Sequence, residues 1–135
     1  MNPWLDKIEN KLQEFLGRKV KFAILYGSVL TKYFKQDSDI DLALFLGQKT
    51  ERKYLLALGE EISELFEHKY EFDLVQLDSA DPIIAMQILA NGKLIIDNER
   101  HTFVTYKAGM ISQYLDFKRA RKIIEDRIAE RSIYA

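Results

Sequence analysis

The feature that most restricts what this chain can fold into is a pair of short apolar runs with unusual punctuation between them. The first, Val20 to Tyr26, ends in Gly27-Ser28; ten residues later Asp39-Ile40-Asp41 opens the second, which continues to Leu46. The first run is β-branched and aromatic, which predicts a strand buried on both faces. In the second, a strand period of two places Asp39 and Asp41 on one face and Ile40, Leu42 and Leu44 on the other.

Aspartate is unfavourable inside a strand, and an ionised carboxylate withdrawn from water must be paired or bound to a metal. Two carboxylates on one face repel each other unless a cation lies between them. A further apolar run, Glu71 to Leu77, carries Asp73 and offers a third member. The donor set suits magnesium, a hard ion that takes oxygen ligands from a few carboxylates and from substrate phosphates. Two such ions about 4 Å apart serve phosphoryl or nucleotidyl transfer by clamping attacking and leaving oxygens. Gly27-Ser28 supplies the complementary part. Glycine lets backbone approach a phosphate, N–H groups opening a following helix bind anions, and the Ser28 hydroxyl adds a hydrogen bond. The Walker spacing of glycines and lysine is absent.

Each feature alone has a plainer reading. Gly-Ser after a strand is most often a turn, Asp39 after Ser38 reads as a cap, and Asp73 reads as an edge-strand ion-pair partner. Their conjunction points to a nucleotide-and-metal site.

The remaining chain frames that site. Asn2-Pro3 reads as a cap and first-turn proline for a helix with Trp4, Leu5, Ile8, Leu12, Phe15 and Leu16 at helical spacing, stopped by Gly17. Val29 to Phe34 predicts a short helix beginning at Ser28, and residues 35–38 a polar loop. Thr50 reads as the cap of a helix marked by Leu55, Leu56, Leu58, Ile62, Leu65 and Phe66. Asp81-Pro82 opens another, closed by Asn91-Gly92; Lys93 to Asp97 predicts an edge strand. From roughly His101 to Ile128 the apolar positions suit one long helix. The order predicts a mixed α/β (α+β) fold, a small twisted sheet backed by helices, as one domain over residues 1–135.

Twenty basic against twenty-one acidic residues argue against a dedicated binder of long nucleic acid, which needs a cationic surplus. Without cysteine there is no disulfide framework, thiolate zinc site or thiol nucleophile. No apolar run is long enough to span a bilayer, and Met1 to Lys7 lacks the layout of a signal peptide, so a cytoplasmic location is expected. His68 and His101 read as surface or helix-end residues, and Lys118 to Lys122 as a solvated helix face.

Gly27-Ser28, ten residues, Asp39-Ile40-Asp41 resembles the Gly-Ser-x10-Asp-x-Asp signature of polymerase-β-like nucleotidyltransferases. Chain size, and the Asp73 strand followed by Ile83 to Leu94, resemble the minimal nucleotidyltransferases (MNT group), antitoxins of HEPN/MNT toxin–antitoxin pairs. The resemblance implies that Gly27 and Ser28 hold the β- and γ-phosphates of ATP and that Asp39 and Asp41 ligate two Mg2+ ions. It implies that Asp73 ligates the catalytic ion and helps deprotonate the acceptor, so that the three aspartates are both catalytic and metal-binding. The acceptor implied is a tyrosine hydroxyl of a HEPN-type toxin, with which the chain would form a complex. Many members carry a glycine just after Gly-Ser, where this chain has Val29-Leu30-Thr31-Lys32; Lys32 or Lys35 can compensate by contacting phosphate. Two alternatives stand beside AMP transfer to a protein. One is a non-catalytic antitoxin that binds its toxin through Met110, Ile111, Tyr114 and Leu115; the other is a nucleotidyltransferase acting on a small molecule or an RNA end.

Overall fold

The computed structural model describes residues 3–31, 34 and 39–134. The predicted cap Asn2 and the two lysines proposed to reach phosphate, Lys32 and Lys35, lie outside the described residues. Helix α1 spans Pro3–Leu16 and strand β1 Phe22–Tyr26; a 3-10 turn, Gly27–Leu30, follows directly. Then come β2 (Ile40–Phe45), α2 (Arg52–Leu65), β3 (Phe72–Gln76), α3 (Pro82–Asn91), β4 (Lys93–Asp97) and α4 (Arg100–Tyr134).

The strands form one mixed sheet in the order β3-β2-β1-β4. β1 pairs antiparallel with both β2 and β4, whereas β2 and β3 run parallel. A parallel neighbour needs a crossover, and α2 supplies it. Central β1 is buried along Phe22–Leu25, as its unbroken apolar run predicts.

Alternation sorts side chains onto two covered faces. Ala23, Leu25, Ile40, Leu42 and Leu44 join α1 residues Ile8, Leu12 and Leu16 and α2 residues Leu58 and Ile62 in one cluster. The opposite face carries Phe22, Ile24, Ala43 and Leu77, covered by Ile88 of α3 and by Phe103 and Tyr106 of α4. The Tyr106 hydroxyl donates to the Leu77 carbonyl at 2.8 Å, which fastens α4 to the exit of β3.

Local details differ from the sequence reading for identifiable reasons. The helix predicted over Val29–Phe34 is a single 3-10 turn ending at Leu30. Phe34 instead stacks on Trp4 of α1 with ring centroids 4.9 Å apart. Thr50 does not cap α2; Glu51 takes that position without a side-chain bond, while the Thr50 hydroxyl donates to Gln76 Oε1 at 2.9 Å. Asp81 caps α3 as expected, accepting from the Ile83 and Ile84 N–H groups. Helix α4 extends beyond Ile128. Among the described residues no helix is long and apolar enough to cross a membrane.

Candidate active site

Sheet register decides which predicted side chains meet. Asp41 of β2 lies opposite Tyr26 of β1 on one side and opposite Asp73 of β3 on the other. Directly opposed residues in a sheet place their Cβ atoms about 4.5–5.5 Å apart on the same face. Tyr26, Asp41 and Asp73 therefore form a row across three strands, at the C-terminal end of β1 and the N-terminal ends of β2 and β3. This row lies on the α3/α4 face, at the end where that face opens to solvent.

Asp39 precedes β2 and is exposed, as is Asp73; Asp41 is partly buried. Electrostatics ties all three together. The Asp41 carboxyl is pushed above its ordinary value by burial first, then by the negative charge of Asp73 and of Asp39. The Tyr26 hydroxyl is pushed up to about 12 by burial and then by Asp41 and Asp73. Like charges so arranged disfavour each other's ionisation, and a bound cation relieves that repulsion.

Gly27 lies against the same carboxylate. Its φ is +82°, and a Cβ there would collide with Asp41 Oδ2 and stand 3.2 Å from Asp41 Cγ. Only glycine accommodates both the left-handed backbone and the approach of Asp41. Ser28 follows in the turn, whose end is fixed by Thr31: its N–H and its hydroxyl both donate to the Ser28 carbonyl at 2.9 Å. The structure thus brings Gly27, Ser28, Asp41 and Asp73 to one end of the sheet, with Asp39 just before β2.

The donor set fits magnesium. Asp39, Asp41 and Asp73 offer hard carboxylate oxygens from three backbone positions, at least one of them destabilised by its like-charged neighbours. Their ligand atoms are not all within 4.8 Å of one another; among the described residues only Glu60, Glu64 and His68 meet that spacing. Those three are exposed on and just after α2, so His68 has carboxylate neighbours that the sequence reading did not credit. Its ring Nδ1 lies 3.3 Å from Ser63 Oγ. Beside Asp73, between α2 and the outer edge of β3, an open groove of about 450 Å³ is lined by Arg52, Gly59, Glu60, Ser63 and His68.

Tyr26 is the member of the row that sequence reasoning missed. Its signal was present: a polar-tipped aromatic ends the strand immediately before Gly-Ser. Its place opposite Asp41 depends on antiparallel register, which the sequence does not display.

Comparison with known proteins bears on the family and the fold. The family described as polymerase beta, nucleotidyltransferase matches residues 6–101. Among solved structures, a toxin–antitoxin with AMP-PNP superposes with a TM-score of 0.74 at 23% identity, over 90% of this chain and 98% of that one. A second, the tri-AMPylated Shewanella oneidensis HEPN toxin in complex with MNT antitoxin, gives 0.72 at 23% identity, over 93% and 98% of the two chains. A third, the toxin–antitoxin MntA-HepT, gives 0.71 at 22% identity, over 92% and 98%. A search of curated proteins returned no match.

Proposed function

Because the chain belongs to the polymerase beta nucleotidyltransferase family, we propose that it transfers AMP from ATP to a protein hydroxyl and thereby acts as a cytoplasmic antitoxin. The observation that carries this reading is the row Tyr26–Asp41–Asp73 in direct register beside Gly27-Ser28. The likeness to structures described as MNT antitoxin with AMPylated HEPN toxin, and as a toxin–antitoxin with AMP-PNP, supports the choice of ATP as donor and a HEPN-type toxin as acceptor and partner.

In this reading the acceptor is a tyrosine hydroxyl. Its oxygen attacks the α-phosphorus of ATP, the bond from that phosphorus to the bridging oxygen breaks, and pyrophosphate leaves. Asp73, exposed on β3, takes the proton of the incoming hydroxyl. Gly27 and Ser28 hold the β- and γ-phosphates through backbone N–H groups and the Ser28 hydroxyl. Asp39, Asp41 and Asp73 would hold two magnesium ions. When bound, these ions neutralise the charge developing on the attacking and leaving oxygens. Tyr26, at the end of β1, stands opposite Asp41. A single domain over residues 1–135 suffices for all these roles.

The test is incubation with ATP, magnesium and the cognate toxin, read by intact mass. Addition of AMP mass to the toxin is expected. Asp39→Ala or Asp41→Ala should lower transfer by on the order of 10³-fold, as loss of a preorganised electrostatic group does. Undiminished transfer by the doubly substituted chain would refute the mechanism.

A second reading has its own observation. Ile111 and Leu115 are 37% and 52% exposed on α4, an apolar face that fits stoichiometric masking of the toxin. Neutralisation that survives loss of the aspartates but fails with Ile111→Glu or Leu115→Glu would favour it.

A further inference from the structure

The second half of α4 carries a feature that neither reading uses. Every residue from Leu115 to Arg131 is exposed, yet Phe117, Ile124 and Ile128 are large apolar side chains at 46%, 49–60% being the range of the isoleucines from 123 to 128. At 3.6 residues per turn they are not scattered. Phe103, Tyr106, Met110, Tyr114, Phe117, Arg121, Ile124 and Ile128 follow each other at steps of three and four and form one stripe. The first four are half-buried where α4 meets its own domain. The stripe then continues past the domain, as a seam continuous with an established packing face. From Tyr114 onward its alternation of three and four is the a/d pattern of a two-helix coiled coil.

We infer that the seam Phe117–Arg121–Ile124–Ile128 pairs antiparallel with the same seam of a second copy of this chain. Charge decides both occupant and direction. With Tyr114, Arg121 and Ile128 at a positions and Phe117 and Ile124 at d, Lys118 and Glu125 fall on the same e flank. A parallel, in-register pair would stack Arg121 on Arg121 in the seam. Antiparallel pairing sets Arg121 against Ile124 and Phe117 against Ile128, and brings Lys118 of each copy to Glu125 of the other. Glu125 already accepts from Arg121 of its own helix at 2.9 Å, so it would bridge two cations across the interface. The opposite flank offers Ala120 and Arg127, which place no like charges together. The surface is thus self-complementary, as a two-fold interface requires. Leu115 lies about 140° around the helix from Met110 and faces away from this pairing, whereas Ile111, seven residues before Lys118, borders it on the same flank.

Sedimentation equilibrium of the full chain tests the inference. A concentration-dependent dimer is expected, with Ile124→Glu monomeric throughout. Lys118→Glu should weaken the dimer about tenfold, and Lys118→Glu with Glu125→Lys should restore it, since two symmetric ion pairs are reversed together. Orientation is read by disulfide trapping, which the absence of native cysteine keeps clean. Ile128→Cys alone should not crosslink, whereas a mixture of Phe117→Cys and Ile128→Cys chains should. A wild-type chain that stays monomeric at its highest soluble concentration overturns the inference. So does a monomer whose toxin binding is lost in Ile124→Glu, because the seam then belongs to the toxin.

Discussion

Strand β2 meets two different environments on its two faces. Toward α1 and α2 it presents Ile40, Leu42 and Leu44, all with no exposure. Toward α3 and α4 it presents Asp41, Ala43 and Phe45, a gradient from carboxylate to aromatic ring within six residues. The first face is uniform because its only task is to exclude water. The second changes character along the strand because one end packs under Phe103 and Tyr106 while the other must stay open and charged. The same alternation of side chains thus builds a core and a candidate site back to back, and the rigidity of the first positions the second.

The largest effect should come from damaging the uniform face. Leu42→Ala removes a fully buried side chain from the middle of the main cluster and should lower stability by roughly 2–5 kcal/mol. Denaturant unfolding measures it. If Leu42→Ala instead costs less than about 1 kcal/mol, the face is loosely packed and the contrast with the graded face fails.

Gly27→Ala acts where the graded face ends. A left-handed residue other than glycine stores roughly 1–3 kcal/mol, and here the added methyl also displaces Asp41. Stability should fall within that range, and AMP transfer should fall further than stability alone explains. Equal activity in the stable fraction of the variant would mean that the approach of Gly27 to Asp41 has no role in the chemistry.

Asp41→Asn should have a smaller effect of opposite sign. Burial, Asp73 and Asp39 raise the folded carboxyl of Asp41 above its ordinary value. A group raised in this way contributes stability that is fully present below the unfolded value near 4 and is lost as pH rises through the folded one. At neutral pH, without magnesium, the ionised carboxylate therefore burdens the fold. Asparagine stays neutral and should raise stability by a few tenths to about 1 kcal/mol, a figure reduced for the solvent screening of a half-exposed group. The gain should vanish below about pH 4 and shrink when magnesium is added. Unfolding midpoints at the two pH values, with and without the ion, measure this.

The fold was legible in the sequence to the extent that periodicity carried it. The apolar runs at Val20–Tyr26, Asp39–Leu46 and Lys93–Asp97 became strands, and Asp81-Pro82 capped a helix, because each is a local signal. What stayed illegible was non-local. Phe34 stacks on Trp4, thirty positions away, and Thr50 leaves its capping role for Gln76 on a neighbouring strand. At the candidate site, Gly27, Ser28, Asp39, Asp41 and Asp73 were singled out by spacing and resemblance. Tyr26 was not, since only the register of β1 against β2 sets it beside Asp41.

Two tyrosines on the graded face give the finest probe of the comparison. Tyr26 sits at its charged end and Tyr106 packs at its apolar end, and both hydroxyls are pushed up to about 12. Burial is the largest cause in each; the secondary cause is Asp41 and Asp73 for Tyr26 but Asp78 for Tyr106. Each phenol therefore contributes stability that is complete below the ordinary tyrosine value near 10 and is lost as pH rises through about 12. A rapid pH jump followed by phenolate absorbance, read before unfolding, separates the two through Tyr26→Phe and Tyr106→Phe difference signals. Asp41→Asn should move the Tyr26 midpoint down while leaving it above 10, because burial remains. It should leave Tyr106 where it was. If both midpoints move together, the two ends of the face share one electrostatic environment and the gradient along β2 is one of shape alone.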